Sequence, residues 1–203
     1  MSQAKIRLSA KETELVTNAD FILTKNAILE KAKQLLLELQ EKQENYLQHP
    51  QLFLDGDELK LSPKISKGEN YRGLPYLILD YPRVFKGPDI FAIRSMFWWG
   101  HFFSTTLHLS GRYKKAFEEK IINSYSLLVE KKFFYCINDS QWQHDFEEGN
   151  YTLLTVENQT EIEGKIVEEP FIKLAIKISL HQWDDATDIL SNHFREIIEM
   201  LAD

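Results

Sequence analysis

Residues 71–111 limit what this chain can fold into more than any other stretch. Three runs, 74–80, 90–98 and 102–109, are dense in aromatic and branched residues and are fenced by Gly and Pro clusters, the pattern of neighbouring strands. Lys86-Gly87-Pro88-Asp89 predicts a reversal between the first two. Trp99-Gly100 or Gly100-His101 predicts a two-residue connection between the second and third, with Gly supplying the positive φ. Under either choice one face carries Phe91, Ile93, Ser95, Phe97, Phe102, Ser104, Thr106 and His108. The other then carries Ala92, Arg94, Met96, Trp98, Phe103, Thr105, Leu107 and Leu109. Neither face is fully polar, which predicts cover on both sides of the sheet.

Helices supply that cover. Ser9-Ala10-Lys11-Glu12 has the form of a capping box and predicts a helix start. Over residues 21–47 the apolar positions Phe21, Ile28, Ala32, Leu35, Leu39 and Tyr46, widened by Leu36, make a stripe opposite charged residues. A second helix is expected over 112–130, capped by Ser110, and a third over 182–201. Between these, 133–137 and 151–156 read as short strands, 140–150 has no assignable pattern, and 158–169 reads as a mobile acid-rich loop. Residues 171–180 alternate strictly, with Ile172, Leu174, Ile176 and Ile178 on a dry side and Lys173 and Lys177 on a wet one. Asp55-Gly56 suggests a small hairpin within 51–61, and 62–73 reads as a basic loop with Lys64, Lys67 and Arg72. Strands grouped in meanders between long helices predict a single α+β domain over residues 1–203, an N-terminal helical segment (9–48) followed by a sheet-and-helix core (52–203).

Charge narrows the partners. With 24 basic and 31 acidic residues the net charge is -7, which opposes a nucleic-acid backbone binder. No apolar run reaches the roughly 18 residues of a membrane span and the N-terminus has no signal-peptide core, so no membrane partner and a cytoplasmic location are expected. The one cysteine, Cys136, sits in an apolar run and reads as core packing.

The candidate chemistry is sparse. Arg94 lies mid-strand among apolar neighbours, so its guanidinium must meet a carboxylate, for which Asp80 is available, or line a ligand cavity. His108 shares its expected face with Ser104 and Thr106, a hydroxyl-lined track suited to a polar ligand or to ordinary hydrogen bonding in a sheet. His101 and His108 are roughly 23 Å apart along an extended strand, too far to share a metal. His144 with Glu147 or Glu148, and His193 with Glu196, have the helical spacing of metal pairs, but solvated charges and a core histidine are the simpler readings, and no metal is assigned. No nucleophile elbow, phosphate loop or dinucleotide fingerprint is present, so no cofactor is expected and no catalytic residue is assigned. Trp98-Trp99 at a hairpin tip point to opposite faces and could anchor an interface if exposed.

Two functions fit. One is a non-enzymatic interaction module, self-associating as a homo-oligomer, with Trp98, Trp99 and the 62–73 loop at its contact surface. The other is an enzyme or receptor for a small anionic or polar ligand. Its pocket would be formed by Arg94 and Asp80 on one sheet face, or by His108, Ser104 and Tyr76 on the other.

Overall fold

The computed structural model describes residues 6–48 and 62–202. The hairpin expected within 51–61 lies outside the described residues. Ser9 caps helix α1 (Ala10–Thr17) with a complete capping box: its hydroxyl accepts from the Glu12 N–H and its own N–H donates to the Glu12 carboxylate. Asn18 then breaks the helix in an extended conformation, and its side chain accepts from the Phe21 N–H to start α2 (Ala19–Leu47). The buried positions of α2 are Leu29, Ala32, Leu35, Leu36, Leu39 and Gln43, so the expected stripe holds over most of its length. Phe21 does not belong to it. It is 48% exposed, because the helix begins before it reaches the sheet.

The next elements are β1 (Lys64–Tyr71), β2 (Leu74–Lys86), β3 (Asp89–Trp98), β4 (Phe102–Ser110), α3 (Gly111–Asn123), α4 (Tyr125–Glu130), β5 (Phe134–Cys136) and β6 (Tyr151–Leu153). Then come α5 (Gln159–Glu168), β7 (Phe171–Ser179), a 3-10 turn (Leu180–Asp185) and α6 (Ala186–Ala202). The strands form one seven-stranded antiparallel sheet in the order β1-β2-β3-β4-β7-β5-β6, an α+β fold. The meander β1 to β4 is local in sequence, and β7 returns from far along the chain to extend it at β4.

Four expectations change. Residues 62–73 are not a loop: Lys64 to Tyr71 pair with β2 as an edge strand, closed by a turn in which Arg72 and Gly73 have positive φ. Residues 158–169 are not a mobile loop but contain α5, held because Ile162 and Ile166 are buried at its four-residue spacing. The helix expected over 112–130 is two helices, with a break at Ser124.

The fourth change concerns the β3–β4 connection, which has three residues, Trp99, Gly100 and His101, since Trp98 pairs with Phe102. One extra residue inverts the face parity of β4 relative to β3. The apolar face is therefore Phe91, Ile93, Ser95 and Phe97 with Phe103, Thr105, Leu107 and Leu109, continued by Ile172, Leu174, Ile176 and Ile178. Helices α2, α3 and α6 cover it, burying Leu36, Leu39, Ile121, Leu190, Phe194, Ile197 and Leu201. Burial of this kind is worth about 1.5–3 kcal/mol per large side chain before conformational entropy is counted. The opposite face is the one with chemistry.

Candidate functional site

Antiparallel register sets partners side by side on one face, and here it collects the polar residues of four strands. Asp80 on β2 pairs with Arg94 on β3, and Arg94 with Thr106 on β4. Two residues along, Ala92, His108 and Lys173 form the next row, and Met96, Ser104 and Lys177 lie on the other side. Tyr76 joins them, paired to Trp98, its ring lying across Gly68, where a Cβ would come within 2.3 Å of it. Arg94, Asp80, His108, Ser104 and Tyr76 thus share one face. The expectation that His108, Ser104 and Tyr76 oppose Arg94 is corrected twice over: the three-residue turn brings His108 and Ser104 to the Arg94 face, and the β2–β3 register, pairing Tyr76 with Trp98 and Asp80 with Arg94, places Tyr76 there.

This polar face is roofed by residues 137–150, which contain almost no regular secondary structure. Each anchor of the roof is a tertiary bond. Arg94 closes a bidentate pair with Asp80, Nε to Oδ1 at 2.7 Å and Nη2 to Oδ2 at 2.9 Å, and its third nitrogen, Nη1, lies 3.0 Å from His144 Nε2. A guanidinium only donates, so His144 Nε2 accepts and the imidazole is neutral with its proton on Nδ1. His108 donates from Nε2 to Gln141 Oε1 at 2.8 Å. The Lys173 ammonium donates to the Gln143 carbonyl at 2.5 Å and lies 5.4 Å from the centre of the Tyr151 ring. The Tyr71 hydroxyl donates to Asp145 Oδ2 at 2.7 Å and accepts the backbone N–H groups of His144 and Asp145. Arg72 pairs with Asp145 at 3.1 Å and also with Glu147.

Aromatic packing completes the roof. Phe146 meets Phe102 and Phe134 edge-on and stacks with Tyr151, with the Lys177 ammonium 4.9 Å from its ring centre. Trp98 is 2% exposed, stacked on His101 at 3.6 Å and edge-on to Tyr71. Trp98 is covered on this face rather than by the long helices. Trp99 is half-buried against the apolar cluster of the helix side.

Burial sets the protonation of the site. Desolvation, with the nearby Lys173 and Arg94 charges adding to it, holds the His108 imidazole down at about 3. Desolvation and the Arg94 charge likewise push His144 down. Lys173, 1% exposed and with no carboxylate in ion-pair contact among the described residues, is lowered to about 8 by burial. The Cys136 thiol is fully buried and pushed up, so it stays protonated. Both imidazoles are neutral and bonded, the arginine is matched, and the thiol, packed among Tyr151, Phe171 and Ala175, makes weak contacts to Asn138 O and Asn150 Oδ1. That arrangement can hold the roof.

The metal-spaced pairs do not converge. His144 is committed to Arg94 while the Glu147 carboxylate bonds Arg72, and Glu196 pairs with Lys131 at 2.7 Å. Among the described residues no group of three or more His, Cys, Asp or Glu side chains could hold a metal ion. Sequence reasoning missed Lys173, which alternation alone places on a wet face, and it missed Tyr71, Gln141 and Gln143. For Lys173 a signal existed: a sheet expected to be covered on both sides should bury most of the strand entering it, and only the far end of that face, at Lys177 and Ser179, is exposed. No family model matches the chain, and no curated protein or solved structure is similar to it.

Proposed function

We propose that this chain is a non-enzymatic protein-interaction module. The observation that supports it most is a division of labour on the surface. Asp80, Arg94, His108 and Lys173 on the polar face are spent on bonds within the chain, while seven of the thirteen large apolar side chains left exposed among the described residues fall within residues 6–23. Ile6, Leu8, Leu15, Val16, Phe21, Ile22 and Leu23 are all 40% exposed or more. A cluster of this kind on a soluble domain marks a contact surface.

The surface expected around Trp98, Trp99 and residues 62–73 suits this role less. Trp98 is inside, and β1 is an edge strand with Lys64, Lys67 and Glu69 along it and a register irregularity between Gly68 and Tyr71. Charges and bulges of that sort blunt an edge against pairing with another chain.

A thermal-shift screen against inorganic anions, nucleotides, divalent metals and small polar metabolites separates this reading from a receptor at Arg94 or His108. No ligand shifts the melting temperature if the roof is architectural. A saturable rise that His108→Ala abolishes would overturn the module reading and favour a small polar ligand beneath the roof.

A further inference from the structure

We infer that the segment from Ile6 to Leu23 is a dimerisation arm and that its partner is a second copy of this chain. This rests on the interaction reading above and names its partner. Every residue from Ile6 to Thr24 is exposed, and none of the eight residues of α1 is buried. A helix of eight residues is marginal in water, because its own hydrogen bonds do not recover the cost of nucleation. The capping box of Ser9 and Glu12 offsets part of that cost but gives the helix nothing to pack on. The packing that α1 lacks among the described residues is what a second copy supplies.

The break at Asn18 sets α1 and the start of α2 at an angle and leaves a groove of about 390 Å³ between them, lined by Leu8, Glu12, Leu15, Val16, Phe21 and Ile22. The most exposed large residues of the two helices, Val16 at 70% and Leu23 at 63%, lie on the same short segment. Val16 lines the groove and Leu23 follows its lining residue Ile22, so an apolar projection adjoins the groove, as a two-fold symmetric contact requires, where the same surface must complement itself. The seven exposed apolar residues offer on the order of 700 Å² per copy, close to the roughly 800 Å² that each partner contributes to a standard stable interface.

Charge selects the partner. Between residues 6 and 23 the basic residues Arg7 and Lys11 stand against the acidic residues Glu12, Glu14 and Asp20, so the arm carries a net charge of only -1 within a chain of net charge -7. Two arms of this low charge meet with little repulsion and hold the more acidic bodies apart, where screening weakens their repulsion over a Debye length of about 8–10 Å. A membrane surface is a poorer occupant, since the segment has no excess of Lys and Arg to be drawn to anionic lipid.

The test is light scattering of the full chain over a concentration series, for the wild type and for the double variant Leu15→Glu, Ile22→Glu. The wild type should show about twice the monomer mass, and the variant, with unchanged tryptophan fluorescence of the body, should lose that two-fold excess. In a separate variant, Ile22→Cys should be cross-linked between copies by a short bismaleimide, the native Cys136 being buried. A wild type that stays monomeric overturns the second-copy assignment without touching the ligand screen above. A dimer that persists in the double variant overturns the arm as its seat. Binding of the monomer to lipid vesicles, lost in the same variant, would assign the arm to a membrane surface instead.

Discussion

Trp98 and Phe102 are register partners across β3 and β4, with Trp99, Gly100 and His101 bridging them. Gly100 takes φ +75 with nothing within 4 Å of the position its Cβ would occupy. The three-residue turn therefore asks for a left-handed residue and for no particular side chain. Gly100→Ala should cost about 1 kcal/mol through backbone strain alone, and Gly100→Asn less, read from urea denaturation midpoints. An alanine as stable as glycine would mean that the turn re-forms with a different register.

The Arg94–Asp80 pair is the second point of leverage. Their side chains are 19% and 10% exposed, so neither charge can be turned out to water without disturbing the roof. Asp80→Asn should destabilise by about 3 kcal/mol, because it leaves a guanidinium buried without its match. The double replacement Asp80→Asn, Arg94→Met should cost less than the sum of the single changes in a denaturation cycle. Additive losses would show that the pair is not coupled.

Most of the scaffold was legible because local pattern and burial agree in it. The Ser9 box, the α2 stripe from Ala32 to Leu39, the three strands of the meander and the alternation from Ile172 to Ile178 all follow from periodicity. The roof was not legible for the opposite reason. Residues 137–150 are shaped by bonds to Arg94, His108, Lys173 and Tyr71, and all four lie outside the segment that they shape. No window of the sequence contains both ends of such a bond. The face error had a smaller cause, a turn longer by one residue, yet it divided between two faces a cluster that occupies one.

Tyr71 is the hinge between that roof and the β1–β2 turn, since its hydroxyl serves three roof groups at once. Tyr71→Phe leaves the ring contacts to Trp98 and Tyr76 in place but strips the Asp145 carboxylate and two backbone N–H groups of a partner. The expected loss is about 2 kcal/mol. Hydrogen exchange should quicken selectively at residues 141–149 while amides of β3 and β4 keep their protection. Uniform quickening would mean that the roof and sheet unfold together.

His108 makes the acid side of the stability curve steep. Its folded imidazole titrates near 3, against an ordinary value of about 6.5, so the unfolded chain takes up a proton first. Stability is full above pH 6.5 and falls as pH drops from there toward 3, by about 2 kcal/mol at pH 5 for a group shifted this far. His108→Gln, which keeps a side-chain amide donor for Gln141, should flatten the difference between urea midpoints at pH 7 and pH 5. An unchanged difference would show that His108 is accessible to protons in the folded chain.

Lys173 acts on the alkaline side with a different history. Burial lowers its folded value to about 8, while the unfolded side chain titrates near 10.5. Below pH 8 both states carry the proton, and the folded state bears the whole cost of a buried ammonium, on the order of 3 kcal/mol. Between pH 8 and 10.5 the folded chain releases the proton first and stability rises, as linkage requires of a depressed pKa. The charges that bear on this lysine are Arg94, which lowers it further, and Asp145, which opposes the shift. Lys173→Met removes the cost at neutral pH but orphans the Gln143 carbonyl, so its stability at pH 7 should lie within about 1–2 kcal/mol of the wild type. Its stability should lack the wild-type rise from pH 8 to 10. Parallel curves for the two proteins across that interval would place the ammonium in contact with water and remove it from the closed face.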